Sequence, residues 1–464
     1  MMKRAKKKHL TMARVCAPSS AKLKEGFSFV GGRNDVICSP FSRPYPMDFL
    51  RVAGCACQVT SDPARTPCRA HDEPLWSSQW SRHCSSSKLS WTAYYKAVKR
   101  GHFSWLAISR RWLELLRRFF PRATLTLAID DTFTPRASKK APSATCYYDH
   151  AHKANRPRFM HGQVRVAVAL VLTYGGRTAA FPLLWRLQRA TGNRSKLAAA
   201  NVMLCVVFQW LSSATSIRLL LDAWYMKRPL LLPLIKKGVV IIGQVRRDTA
   251  LYLFPNPPTK KGRGRPRIYG EKLTEKLIAT YPIRQSRIHA CGKTRLFEYR
   301  CVCAKVRFLK GHLARVVWCR FQKGQKGWSK WVLLLSTDPS IPAERVIKTY
   351  GRRWWVESMF HYIKHRFGLH NAWQQSRQSL ARWTTLISLA YGLPRLMALW
   401  LGPQRGAQIY PIPWRRLRPV TAGWVATGIA EYFRHIDVRV SWDRKHRKLI
   451  LTRDHSWPPQ KRAA

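Results

Sequence analysis

Between Tyr350 and Lys364 the chain sets one acid among bases and a phenol at helical spacing. At about 100° per residue, Tyr350 and Arg353 lie seven and four positions before Glu357, and His361 and Lys364 lie four and seven after it. Read as a single helix, all five share one narrow face, while Trp355, Val356, Met359, Tyr362 and Ile363 form an apolar stripe on the other side. A carboxylate so placed can ligate a hard divalent cation, and the neighbouring Arg, Lys and Tyr can hold phosphate oxygens on either side of a scissile bond. The chemistry indicated is metal-dependent phosphoryl transfer. The same spacing also fits a solvated face on which Arg353 and Glu357 form a routine i,i+4 ion pair.

Two further acids stand where strands end. Asp130 and Asp131 follow the strand-like run Thr124–Ile129, and Asp222 follows Ile217–Leu221 in LLLDAWY. Parallel neighbouring strands bring their carboxyl ends to one edge of a sheet, so these acids can converge. Taken singly, each fits a turn or helix-cap aspartate. Asp130, Asp222 and Glu357 together supply the carboxylates that a two-metal site needs. A slip of one residue in the first strand would exchange Asp131 for Asp130.

The elements that must position these acids follow from periodicity. Residues 1–88 mix Pro, Ser, Cys and basic residues without a sustained apolar pattern. Residues 89–122 read as two basic amphipathic helices separated at Gly101-His102, either a DNA-binding module or a pair that packs on the next domain. Residues 123–249 read as a strand, a hairpin turning at Tyr174-Gly175-Gly176, a helix (196–211), a strand, a helix (226–236) and a strand. A mixed sheet with crossover helices is expected, an α/β class. Residues 250–341 read as a β-rich insertion entered through a basic loop, with strands at 297–308, 313–321 and 328–336. Residues 342–402 return to helix, at 343–367 and 380–400, with Pro394 expected to kink or end the second. A basic tail, 403–464, follows.

Composition narrows the class of partner. The 464 residues carry 84 Lys and Arg against 22 Asp and Glu, a formal charge of +62, which repels itself unless a polyanion lies alongside. Nucleic acid is the leading partner, and the scarcity of acids gives weight to three at element ends. Apolar runs such as 164–174 and 217–224 are too short or too charged to cross a bilayer, so no membrane partner is expected. The start MMKRAKKKHL has no apolar stretch of signal-peptide length after it. The twelve cysteines are scattered, and Cys55, Cys57, Cys68, His71, His83 and Cys84 lack paired zinc-knuckle spacing, so a reducing cytoplasm is expected. Gly262–Arg267 (GRGRPR) sets Arg263 and Arg265 in an AT-hook-like core suited to a narrow minor groove, or in a charged flexible linker.

The spacing Tyr350, two residues, Arg353, three residues, Glu357, six residues, Lys364 resembles the Y-R-E-K signature of cut-and-paste bacterial insertion-sequence transposases. The resemblance covers roughly residues 123–400. It implies an RNase H-like mixed sheet with flanking helices, interrupted by a β-rich insertion before the glutamate helix, with a helical basic region in front. It further implies that Asp130, Asp222 and Glu357 hold two Mg²⁺ or Mn²⁺ ions, and its Asp-x-Thr pattern selects Asp130 (before Thr132) over Asp131. Tyr350, Arg353 and Lys364 would then position a DNA strand. The implied partners are double-stranded DNA with terminal inverted repeats, target DNA and a second copy in a synaptic homodimer beside the bacterial nucleoid. A DNA-binding relative without activity and an RNase H-fold nuclease of another substrate are the alternatives.

Overall fold

A computed structural model describes residue 96 and residues 98–449, apart from 122–123, 149–156, 189–193, 213–214, 257–265, 291–292, 325–326, 373, 410–419, 435–441, 444–447. The described residues belong to one compact unit, Pro46–Ala464. The readings of residues 1–88, including the cysteine–histidine group, and of Arg263 and Arg265 lie outside the described residues.

The centre of the molecule is a twelve-stranded mixed sheet. Its core strands are β1 (Thr124–Pro135), β3 (Phe159–Tyr174), β4 (Arg177–Leu187), β5 (Ser216–Leu221) and β6 (Val240–Val245), with the short β2 (Thr145–Tyr148) beside β3. The spatial order β4-β3-β1-β5-β6, antiparallel across β3 and parallel from β1 to β6, is that of an RNase H-like fold. The β3–β4 hairpin turns through Gly175 and Gly176 at φ +53° and +74°. Two successive positive φ values make this the two-residue turn whose twist matches its strands, and glycine adopts it without Cβ strain.

The insertion does not stand apart from this sheet. Strands β7 (Leu251–Tyr252), β8 (Arg284–Ala290), β9 (Lys293–Val306), β10 (His312–Lys323) and β12 (Val332–Ser336) extend it, because β12 pairs antiparallel with β6. The expected strand 328–336 is split, with a two-residue β11 (Gly327–Trp328) closing a turn of β10. The unpaired edge of β6 is thereby covered, which removes a sticky strand border.

Helices cover both faces. On one side α1 (Trp105–Phe119), α2 (Arg194–Gln209) and α3 (Arg228–Lys236) pack on Leu127, Ile129, Leu219 and Leu221. On the other, α5 (Ala343–Gly351), α6 (Trp354–His365) and α7 (Arg377–Ile409) pack on Ala128, Ala167, Leu220 and Ile242. A small α4 (Glu275–Thr280) precedes β8, and α8 (Ala422–Arg434) packs on α7. Of the two readings of residues 89–122, α1 takes the packing role: Trp112, Leu113 and Leu116 are buried, and the Trp112 indole donates to the Pro182 carbonyl of β4.

Three expectations are corrected. β1 runs on to Pro135, because β3 continues to pair with it after β5 has ended, so Asp130 and Asp131 lie inside the strand. The single helix over 343–367 is two helices, interrupted at Arg352-Arg353. There the amide–carbonyl bonds tighten to i→i−3, from Arg352 to Thr349 and from Arg353 to Tyr350. Finally, α7 runs unbroken through Pro394, held by packing against β4 and α1. Within α7, Arg377–Leu401 is long and apolar enough to cross a membrane by length and composition, unlike the runs singled out from sequence, and two thirds of its apolar window is buried.

Candidate active site

The pleat of β1 decides which acids meet. Successive strand residues face opposite sides, so Asp130 shares the α6 face with Ala128, while Asp131 shares the α2 face with Ile129. In β5 the same alternation puts Asp222 on the face of Leu220. The parallel register Ile129↔Leu221 then sets Asp130 and Asp222 side by side, each one residue past the last pair. Glu357 reaches the same place from α6, whose Val356, Met359, Phe360 and Ile363 are buried against the sheet.

Arg353 joins the acids. Its Nη1 donates to Asp130 Oδ2 at 2.8 Å and its Nη2 to Glu357 Oε1 at 2.7 Å, and its Nε has no partner. The Arg353 and Asp130 side chains are 13% and 15% exposed, Glu357 38%, so the contact across the sheet is shielded and the contact along the helix faces water. Sequence spacing finds the second contact. The first, 223 residues apart in the chain, it does not. Tyr350 packs under the guanidinium, 5.9 Å from its ring centroid, and its hydroxyl donates to Gln244 Oε1 of β6 at 3.3 Å. Lys364 lies half-buried two turns along α6. Thus Tyr350, Arg353 and Glu357 gather around Asp130, and Arg353 is turned inward to the acids.

Electrostatics follow from burial. The Asp130 carboxyl is pushed up to about 7, first by burial, then by the Asp222 charge, against the pull of Arg353. Asp222 is raised for the same first reason, although Oδ1 accepts from the Trp224 and Tyr225 amides at 3.1 and 3.0 Å. Burial pushes the Tyr350 phenol up to about 12, so it stays protonated and donates. Burial works against the Arg353 charge, but Tyr350, Asp130 and Glu357 outweigh it and hold the guanidinium charged.

Asp131 does separate work on the other face. Its Oδ2 pairs with Lys196 Nζ at 2.8 Å and its Oδ1 accepts from the Tyr225 hydroxyl at 3.0 Å. Because the Tyr225 amide also holds Asp222, the Lys196–Asp131–Tyr225 chain braces the turn that carries Asp222. Tyr225 and Lys196 were not legible as site residues, since a helix-start lysine and a buried tyrosine carry no signal of their own. Gly243 serves the same turn, because a Cβ there would meet Met226 and the Leu221 carbonyl. Gly243→Ala is expected to lower stability by about 1–3 kcal/mol, an overpacking cost read by urea unfolding.

The donor set suits a hard divalent cation: carboxylate oxygens, two of them mutually repelling and partly desolvated. Among the described residues no three His, Cys, Asp or Glu side chains are grouped so that they could hold a metal ion as they stand. Instead the Arg353 guanidinium bridges Asp130 and Glu357. The carboxylates therefore fit the group chemically, with Arg353 as the internal cation that compensates them.

Residues 79–298 match the model of a family described as the DDE superfamily endonuclease. The matched stretch includes Asp130 and Asp222, spans just under half of the chain and ends before Glu357. Over that stretch the chain is similar to DDE endonucleases. No curated protein matches the chain.

Proposed function

We propose that the chain is a DNA transposase, cutting DNA at the ends of a mobile element and joining those ends to target DNA. The observation that carries this reading is the placing of Asp130 and Asp222 in register on two adjacent parallel strands, with Glu357 of α6 joined to Asp130 through Arg353, beside a match to a DDE endonuclease family. The residue order of the Y-R-E-K spacing favours an insertion-sequence enzyme over an RNase H-fold nuclease of other substrate. The presence of all three acids favours an active enzyme over an inactive relative.

In this reading Asp130, Asp222 and Glu357 would hold two Mg²⁺ or Mn²⁺ ions, which when bound polarise the phosphoryl oxygens and lower the pKa of the attacking hydroxyl. Arg353 holds Asp130 and Glu357 in register before binding and becomes available to a phosphate oxygen once its carboxylates are otherwise compensated. Tyr350, kept neutral, orients Arg353 from below and donates a hydrogen bond. Lys364 extends the same helix face and supplies charge along the strand. Two copies on paired inverted-repeat ends would form the synaptic complex, with Arg263 and Arg265 reaching a minor groove beside it.

Two outcomes test the reading. Asp130→Asn should lower strand cleavage by on the order of 10³-fold, whereas Asp131→Asn should stay within about tenfold of wild type. Asp131→Asn should instead cost about 1–3 kcal/mol of stability, since it leaves Lys196 and Tyr225 poorly paired. A larger loss of cleavage in Asp131→Asn than in Asp130→Asn would reverse the assignment. DNA affinity should also fall by on the order of 10³ or more between about 50 and 200 mM salt, as expected for binding through many phosphates. A flat response would remove the charge of +62 from the account.

A further inference from the structure

Around the outer edge of β4 a cavity of about 800 Å³ opens between the middle turns of α2, the first turns of α7 and the start of α1. Its volume is that of a small-molecule site. Leu184 and Trp185 of β4, Met203 of α2 and Leu380 of α7 give it apolar walls, and Arg165 of β3 lines it from within. Arg186 and Arg377 stand exposed at its mouth.

Arg165 is the anomaly. It is 1% exposed, bonds only to the neutral Thr134 hydroxyl and Gln163 Oε1, and its Nε has no partner. Arg136, 6% exposed, lies near enough to repel it, and Arg136 Nη1 is also unpartnered. Among the described residues neither arginine forms an ion pair. A buried cation is costly unless paired, and two neighbouring ones more so. The first turn of α7 adds the positive pole of a helix. Buried guanidinium, helix pole and exposed arginines all call for an anion, and the walls call for an apolar body attached to it.

We propose that this cavity is a nucleotide-binding site, taking one nucleotide unit of a DNA strand with its phosphate toward Arg165 and its base against Trp185, Leu184 and Met203. The phosphate chemistry stands on the cavity alone. The choice of a DNA strand as its source rests on the transposase reading and on register: Ala167 pairs with Asp130, and Arg165 lies two residues along the same face of β3, roughly 7 Å away. A strand held at Asp130 therefore passes close to the buried arginine.

The test uses the full chain with an oligonucleotide carrying 5-iodo-2′-deoxyuridine, and separately with the free 5-iodo-deoxyuridine monophosphate. Irradiation is followed by identification of crosslinked peptides by mass spectrometry. Crosslinks to Trp185 or Trp105 are expected from the oligonucleotide. Arg165 variants endanger folding, so the mouth is closed instead by Ala198→Trp or Val202→Trp, both exposed positions on α2 that line the cavity. Either should cut those crosslinks by at least about tenfold, with total DNA retention unchanged because it is carried by charge elsewhere. Crosslinks only outside the cavity, or cavity crosslinks indifferent to both substitutions, would overturn the proposal. Crosslinks from the free nucleotide but not from the oligonucleotide would overturn the DNA source. A chain that crosslinks here yet cleaves no DNA loses the transposase reading alone, and one that cleaves DNA without these crosslinks loses this site alone.

Discussion

Asp222→Asn and Glu357→Gln are each expected to lower strand cleavage by on the order of 10³-fold or more, while both variants still bind DNA at moderate salt. In the proposed function each carboxylate would contribute charge to the cation sites that compensate the transferring phosphoryl group. Such compensation is worth several kcal/mol at the transition state, and each 1.4 kcal/mol or so is a factor of ten in rate. Binding survives because it draws on the excess of 84 basic over 22 acidic residues, far more charge than one acid supplies. The two substitutions differ in what they do to the fold. Asp222 caps its own turn through the Trp224 and Tyr225 amides, a role that the Asn side-chain oxygen retains. Glu357 is more exposed, and the Gln oxygen still accepts from Arg353. Neither variant should therefore unfold, so a loss of cleavage reads as chemistry. A wild-type rate in either would exclude that acid from the site.

Arg353→Met should be the most damaging single change to the metal-free fold. It leaves Asp130 buried without its cation, and breaking a shielded pair by removing one partner costs roughly 3–5 kcal/mol. The contact with Glu357 adds little, because that side chain faces water. The pH dependence has a definite sign. Burial already raises the Asp130 carboxyl to about 7, against an ordinary value of 3.8. A raised acid is best tolerated when protonated, so its favourable contribution is full below the ordinary value and is lost as pH rises through about 7. Removing Arg353 takes away a lowering influence and moves that loss to still higher pH. The deficit of Arg353→Met should thus be largest near pH 8 and shrink toward pH 5. Mn²⁺ should restore stability at pH 8, and by more than it adds to wild type, because it replaces the missing charge. Thermal unfolding at the two pH values, with and without Mn²⁺, reads all three effects. A deficit independent of pH would show that Arg353 acts by packing alone.

The grouping of acids was legible because strand ends and helix spacing are local patterns. LLLDAWY and the run before Asp130 read directly as strands that deliver acids to one edge. Which of Asp130 and Asp131 points toward α6 was not legible, since both faces of β1 are buried: Leu125, Leu127 and Ile129 lie on one, Ala128 on the other. Thr126, Thr132 and Thr134 share the face of Asp130, but with both faces buried alternation fixes the phase and not the partner. The break at Arg352-Arg353 was not legible, yet the face drawn through it survived because the tightened turn keeps Arg353 one turn before Glu357. The guanidinium bridge to Asp130 could not be seen, because it depends on α6 lying over β1. The joining of the insertion to β6 likewise depends on an edge that only the assembled sheet exposes.

The most direct test is a Mn²⁺ titration of the full chain at pH 8, followed by electron paramagnetic resonance, comparing wild type with Asp130→Asn, Asp222→Asn and Glu357→Gln. Saturable binding in wild type that weakens in all three variants is the expected result, because the three side chains share the ions. Equal binding in wild type and every variant would contradict it.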